Sequence, residues 1–196
     1  MEKLSKTYSL EGIDGSGKTT QMKEVSIALR ELGYNVLVLK SPSDTTLGNF
    51  IRANVKILDK QLLRDLFLMD IKNQQRSADE YDLIIWDRHV DSFYSSNDDM
   101  SLDEYKQIYE IIGFPEKTFF LDLDPSIVTE QRKEAVDYHV IDSWQQEKRR
   151  RYLELEKLFP ERIIKLDATS EISDLKNKIV SEIVSRHELL EKNKTE

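Results

Sequence analysis

One string constrains this chain more than any other: Gly12-Ile13-Asp14-Gly15-Ser16-Gly17-Lys18-Thr19, which satisfies G-x-x-x-x-G-K-[ST] in full. It follows a short run, Thr7–Ile13, that reads as a strand, and precedes an amphipathic stretch from Lys18 to Leu32 that stops at Gly33. A strand, a glycine loop and a helix in that order aim backbone N–H groups and a helix N-terminus at one point, which suits a polyphosphate. The bland alternative, a glycine-rich turn that only caps a helix, requires neither Lys18 nor Thr19. On the phosphate reading Lys18 reaches the terminal phosphates as a point charge and the Thr19 hydroxyl helps hold magnesium. Gly12, Asp14, Gly15, Ser16, Gly17, Lys18, Thr19 and Thr20 then form the site for ATP with Mg2+.

Such a loop sits at the end of a parallel strand, and the rest of the chain supplies the companions. Asn35–Lys40, Leu83–Trp86, Thr118–Leu123 and Arg162–Leu166 are further apolar runs, separated by helix-length amphipathic sequence near 47–54, 60–75, 125–135, 140–158 and 172–190. Asp124-Pro125 reads as an N-cap followed by proline at the first helical position. Alternation of this kind predicts an α/β fold with a five-stranded parallel sheet and helices on both faces. The order of the strands is not legible from it. At 196 residues, one domain over 1–196 is expected, with a polar tail EKNKTE.

Charge and composition narrow the function. A formal net charge of −8 disfavours non-specific binding to nucleic acid, so any phosphate site is local. No cysteine is present, which removes thiolate chemistry, and no run approaches the roughly 18 apolar residues of a membrane helix. Neither a nucleic-acid nor a membrane partner is expected, and a cytoplasmic location is. Asp87, at the end of LIIW, is placed to hold magnesium, and Arg88 beside it to bridge phosphates. An N-cap aspartate next to a solvated arginine is the structural alternative.

Several strings together carry a resemblance. SLEGIDGSGKTTQ, SPSDTTLGNFIR, LFLMD, DRHVDS, RRYLEL and IIKLDAT are similar, in order and spacing over residues 8–168, to the segments of the thymidylate kinase family. That resemblance implies a P-loop NTPase-type nucleoside monophosphate kinase fold and transfer of the γ-phosphoryl of ATP onto a nucleoside monophosphate. It implies catalytic roles for Lys18, Arg88 and Asp14, with Asp14 near the acceptor sugar and magnesium. Pro42 and Arg52 are expected to shape the acceptor phosphate pocket and Phe67 to stack on the base. A plain apolar helix face is the other reading of Phe67. A short lid near 129–142 and a homodimer are implied too.

Departures from the family's pattern fall in the acceptor pocket. Ile71 stands where the family has a base-binding arginine, and Ser96 where it has a tyrosine under the sugar. Ser92, Phe93, Ser96 and Asn97 are therefore expected beside Ile71 in a changed acceptor pocket. The loop carries no arginine, so Arg132 in the lid is the candidate for a transition-state charge, with Lys133 beside it. The run Lys148–Arg151 reads as a charged helix face paired with Glu147 and Glu154. Three alternatives stay open: a kinase for another or a modified deoxynucleotide, a deoxynucleoside kinase, and a nucleotide-binding regulatory protein.

Overall fold

The structure is a computed structural model that describes residues 3–76, 78, 80–131 and 138–192, without the side chains of 3–5, 129–142 and 191. Five strands, β1 (Lys3–Glu11), β2 (Val36–Lys40), β3 (Leu83–Asp87), β4 (Phe114–Asp122) and β5 (Ile163–Asp167), pair in parallel in the order β2-β3-β1-β4-β5. The expected parallel α/β sheet is present, and β4 begins earlier than its apolar run suggested because Pro115 and the buried Glu116 continue the strand.

Eight helices are described: α1 (Lys18–Glu31), α2 (Thr46–Asn54), α3 (Lys60–Gln75), α4 (Val90–Ser96), α5 (Leu102–Ile112), α6 (Pro125–Gln131), α7 (Tyr138–Leu158) and α8 (Ile172–Lys192). Asp59 caps α3 through Gln61 N and Leu62 N, and Ser101 and Glu104 form a reciprocal capping box on α5. Asp124 accepts from Ser126 N at 3.0 Å, as an N-cap before Pro125 should.

Strand residues alternate between the two faces, and each face is covered by its own helices. Leu83 and Ile85 of β3 and Phe119 and Leu121 of β4 join Met22, Val25 and Leu29 of α1 and Leu175, Ile179 and Ile183 of α8 in one apolar cluster. Ile84, Trp86 and Phe120 point the other way, into a cluster with Ile71, Phe93, Tyr105, Tyr152 and Leu155 from α3, α4, α5 and α7. The spacing 175, 179, 183 puts one α8 stripe inward, and each such side chain contributes roughly 1.5–3 kcal/mol on burial.

Strand order creates the site. β1 and β3 lie side by side with Leu10 opposite Asp87, yet the chain leaving β1 returns through β2 and the chain leaving β3 passes to β4 on the other side. A crevice opens at the strand ends where connections diverge in this way. The glycine loop and the Asp87-Arg88 pair are brought together there.

Candidate active site

Backbone geometry shapes the loop first. Gly12 has φ 149, and a Cβ there would meet the Ser16 hydroxyl at 2.6 Å and the Leu121 carbonyl at 2.7 Å, so only glycine allows the loop to pass over β4. Gly17 caps α1 in the left-handed region with open space around it, so conformation rather than room selects glycine at that position. Thr19 and Thr20 are exposed, whereas Ser16 and Lys18 are buried. The Ser16 hydroxyl is one of the buried side-chain atoms without a hydrogen-bond partner.

Lys18 donates from Nζ to the Ile13 carbonyl at 2.7 Å, which turns its ammonium back across the loop. Burial and then Arg88 pull its pKa down to about 8, against the pull of Asp87, Asp14 and Glu11. Arg88, itself at φ 68, donates from N to Leu10 O, from its guanidinium to Gly12 O at 3.1 Å, and to the Asp14 carboxylate. One arginine thus clasps both ends of the first half of the loop.

Helix α7 completes the clasp. Gln145 donates from Nε2 to Asp14 at 3.2 Å and accepts from the Asp14 N–H at 3.3 Å. Burial alone would raise the Asp14 pKa, but Lys148, Arg88, Lys18 and the Gln145 amide outweigh it and hold the carboxyl below its usual range.

Beneath the loop, Glu11 is fully buried and accepts from His89 N at 2.6 Å, Ser92 Oγ at 2.6 Å and Tyr152 OH at 2.7 Å. Burial and then the Asp91 charge lift its pKa to about 7. Asp91 is buried in turn and receives both guanidinium nitrogens of Arg162, at 2.7 and 2.8 Å, together with Thr118 and Tyr105. His89 is buried edge-on to Trp86 with ring centroids 4.9 Å apart, and burial pushes its pKa down to about 3.

Beside the loop, Thr19 and Asp87 line a cleft of about 840 Å³ with Ser43, Asp44, Thr45 and Gln74. Asp87 Oδ1 is buried there without a hydrogen-bond partner. An orphaned carboxylate oxygen and a threonine on the lining of one cleft fit a hard, oxygen-seeking cation, and magnesium takes few protein ligands in such sites.

The acceptor-side candidates are grouped less tightly. Pro42 and Arg52 meet, the Pro42 carbonyl accepting from Arg52 at 2.7 Å, with Asn49 also on the guanidinium. Phe67 is half-buried and edge-on to Phe93, 5.8 Å between centroids. The Ser92 hydroxyl is taken by Glu11, and the Asn97 amide donates to the Phe93 carbonyl at 2.7 Å, closing α4. Ser96 is half-buried, while Tyr94 is packed beneath the Arg151 guanidinium 3.8 Å from its ring centre.

Two expectations change. Ile71, placed beside the base by sequence, is 0% exposed inside the α3–β3–α4 cluster. Lying four residues after Phe67, it follows the same helix stripe inward and forms core, not pocket wall. The run Lys148–Arg151 is not one solvated face, because residues 100° apart on a helix scatter to different surroundings. Arg150 does pair with Glu147 and Glu154, but Arg149 binds Asp122 and Asp124, and Arg151 is buried, donating to the carbonyls of Tyr94, Asp98 and Met100. Lys148 is buried beside Asp14. Arg132, Lys133 and the rest of 132–137, the middle of the expected lid, lie outside the described residues.

Glu11, Gln145 and Lys148 are the site residues that sequence reading missed. The last two share a helix stripe with Tyr152 and Leu155, and extending that buried phase back along α7 would have found them.

Comparisons with known proteins agree on one family. The model for thymidylate kinase matches residues 10–179. The thymidylate kinase of Thermoanaerobacter sp. is 30% identical over 195 residues, covering 89% of this chain and 95% of that protein. A probable thymidylate kinase of Pyrococcus horikoshii is 31% identical over 202 residues, covering 92% and 96%. In fold, the crystal structure of thymidylate kinase from Ehrlichia chaffeensis matches 91% of this chain and 98% of its own with a TM-score of 0.70 at 21% identity.

Proposed function

The chain belongs to the thymidylate kinase family, and from that premise we propose that it moves the γ-phosphoryl of ATP onto the 5′-phosphate of a nucleoside monophosphate, with dTMP as its acceptor. An acceptor phosphate oxygen forms the new bond to the γ-phosphorus as the bond to the bridging oxygen of the departing ADP breaks. The protein does little covalent work in such a transfer; it positions the two nucleotides and meets the charge that spreads over the phosphoryl oxygens.

The observation that carries this reading is the Arg88 clasp. Strand pairing sets the end of β3 against the glycine loop, and Arg88 reaches both Gly12 O and Asp14, where donor and acceptor phosphates would meet. Gly12 to Thr20 cradle the donor phosphates, Lys18 binds their terminal oxygens, and Asp14 turns toward the acceptor. Thr19 and the orphaned oxygen of Asp87 would hold magnesium, which supplies charge neutralisation of the triphosphate when bound. Pro42 with Arg52 takes the acceptor phosphate, and Phe67 with Phe93 the base.

We place the enzyme in the cytoplasm as a homodimer. Among the described residues no helix is long and apolar enough to cross a membrane. Phe50, Val55, Ile57, Leu62 and Met69 are exposed on or beside α2 and α3, an apolar surface that suits association on a chain with net charge −8.

Turnover tests the reading: ADP release with ATP and magnesium against a panel of ribo- and deoxynucleoside monophosphates, with Lys18→Ala as the blank. The expected result is dTMP in the lead and a loss on the order of 10²–10³ in kcat for the blank. Preference for another monophosphate would overturn the acceptor while keeping the reaction. Rapid product from thymidine without its 5′-phosphate would overturn the reaction class.

A further inference from the structure

The turn that follows β2 is held at three points. Gln74 of α3 donates to the Lys40 carbonyl at 2.9 Å, the Ser41 N–H donates to the Asp87 carbonyl at 3.1 Å, and Asp70 of α3 grips Ser43. Asp70 is 0% exposed, and its carboxylate accepts from Ser43 N at 2.7 Å and from Ser43 Oγ at 2.5 Å. From the other side α2 rests on the same residue: a Cβ at Gly48 would meet the Ser43 carbonyl oxygen at 2.0 Å and its nitrogen at 2.6 Å. Ser43 is thus clamped between two helices.

The hydrogen bonds continue from there in one direction. A carboxylate only accepts, so the single proton of the Ser43 hydroxyl goes to Asp70, and the Thr45 hydroxyl, 2.6 Å from Ser43 Oγ, donates to Ser43. The Thr45 oxygen is left to accept from Gly48 N at 3.3 Å, which caps α2. Asp70 thereby reaches through Ser43 and Thr45 to the first turn of the helix whose last turn carries Arg52. Arg52 closes back on the same turn through the Pro42 carbonyl at 2.7 Å. On α3, Asp70 comes three residues after Phe67, so the two are neighbours on the helix surface.

We propose that Asp70 is a positioning residue for the acceptor nucleotide: it locks the turn and helix that offer Pro42 and Arg52 to the acceptor phosphate onto the helix that offers Phe67 to the base. The inference rests on the kinase reading. A nucleoside monophosphate has to satisfy both ends at once, and a fixed separation between them leaves no ordering of the turn to the binding step. The Ser41 bond to Asp87 sets the same turn against the strand end from which Arg88 reaches the glycine loop, so the acceptor phosphate meets the transfer site at one height. Among the described residues, none of Asp70, Ser43 and Thr45 bonds to the glycine loop, so the anchor serves the acceptor and not ATP. Asp70 touches no substrate and acts only through Ser43.

The test uses the full chain with Asp70→Ala, Asp70→Asn and Ser43→Ala, reading KM for dTMP and for ATP, and affinity for dTMP and for thymidine by direct binding. If another monophosphate leads the turnover panel, it and its nucleoside take their place. For Asp70→Ala, KM and Kd for dTMP should rise by about tenfold, while KM for ATP and the affinity for thymidine, which has no phosphate to place, stay within about twofold. Asp70→Asn keeps an acceptor for Ser43 N and should recover part of the loss. Should Asp70→Ala fail to fold, Ser43→Ala, which leaves the bond from Ser43 N in place, should raise KM for dTMP by about threefold with the same selectivity. Either change added to Arg52→Ala should weaken dTMP little further, because its route to the phosphate is already gone. Equal rises for dTMP and ATP, or for dTMP and thymidine, would make Asp70 a prop of the fold and overturn the inference. So would dTMP values within about twofold of the wild type, or a full-sized loss on top of Arg52→Ala; all of these leave the kinase reading intact. A wild-type protein that binds ATP but phosphorylates no monophosphate would overturn the kinase reading, and this inference with it.

Discussion

The proposed phosphate cradle and the proposed acceptor wall are built on opposite principles. Under the cradle lies a buried polar lattice: Glu11 with Ser92, Tyr152 and the His89 amide, and below it Asp91 with Arg162, Tyr105 and Thr118. Behind the acceptor wall lies hydrocarbon, with Ile71, Trp86 and Phe93 in one cluster and Phe67 half-exposed at its edge. A polar lattice fixes directions, and each member fails expensively when its partner leaves. An apolar wall fixes only volume, and it tolerates exchange.

The lattice should therefore break hardest. Asp91→Ala strands the Arg162 guanidinium among aromatic rings with no counter-charge, and the expected loss is about 3–5 kcal/mol, read as a fall in the urea midpoint. Replacing Asp91 and Arg162 together by apolar residues should cost less than the single change. If the single and double variants lose the same stability, the lattice is a set of independent bonds and the contrast with the wall disappears.

Glu11 provides the pH counterpart. Its folded pKa, about 7, lies above the usual value of 4.5, so its contribution to stability is fully present below about pH 4.5 and is lost as pH rises to about 7. A fully developed shift of this size corresponds to ~3 kcal/mol. Unfolding midpoints should fall from pH 5 to pH 8 in the wild type and flatten in Glu11→Gln, whose amide can still bond Ser92 and Tyr152. Equal slopes in the two proteins would place the titrating group elsewhere.

The same contrast explains what the sequence disclosed. The loop announced itself because its chemistry is local: glycines forced by close approach at Gly12 and by φ at Gly17, and a lysine and threonine at fixed offsets. Strands β2, β3 and β5 were legible from apolar runs. Glu11, Gln145 and Lys148 were not, since what makes them site residues is the pairing of β1 with β3 and the packing of α7 over the loop. A four-residue basic run looks uniform in sequence and becomes four different environments only once the phase of α7 is fixed. Ile71 erred in the other direction, because position in a motif was read as exposure.

On the wall, Phe67→Ala should raise KM for the monophosphate by about tenfold through lost stacking and leave KM for ATP alone. Steady-state kinetics with each substrate varied in turn checks this. Equal effects on both substrates would mean that Phe67 supports the core of α3 and not the base.

Ile71→Val should do least and separates the two regions most cleanly. The side chain is completely buried, so losing one methyl costs about 0.5–1.5 kcal/mol in the cluster that it shares with Trp86 and Phe93. Because no surface of Ile71 faces the acceptor, the rank order of monophosphates should not move. A small drop in the thermal midpoint with unchanged preference would make the wall a packing surface at this position. A changed preference without a change in stability would put the Ile71 methyls against the base after all, and specificity would then be read through the hydrocarbon layer.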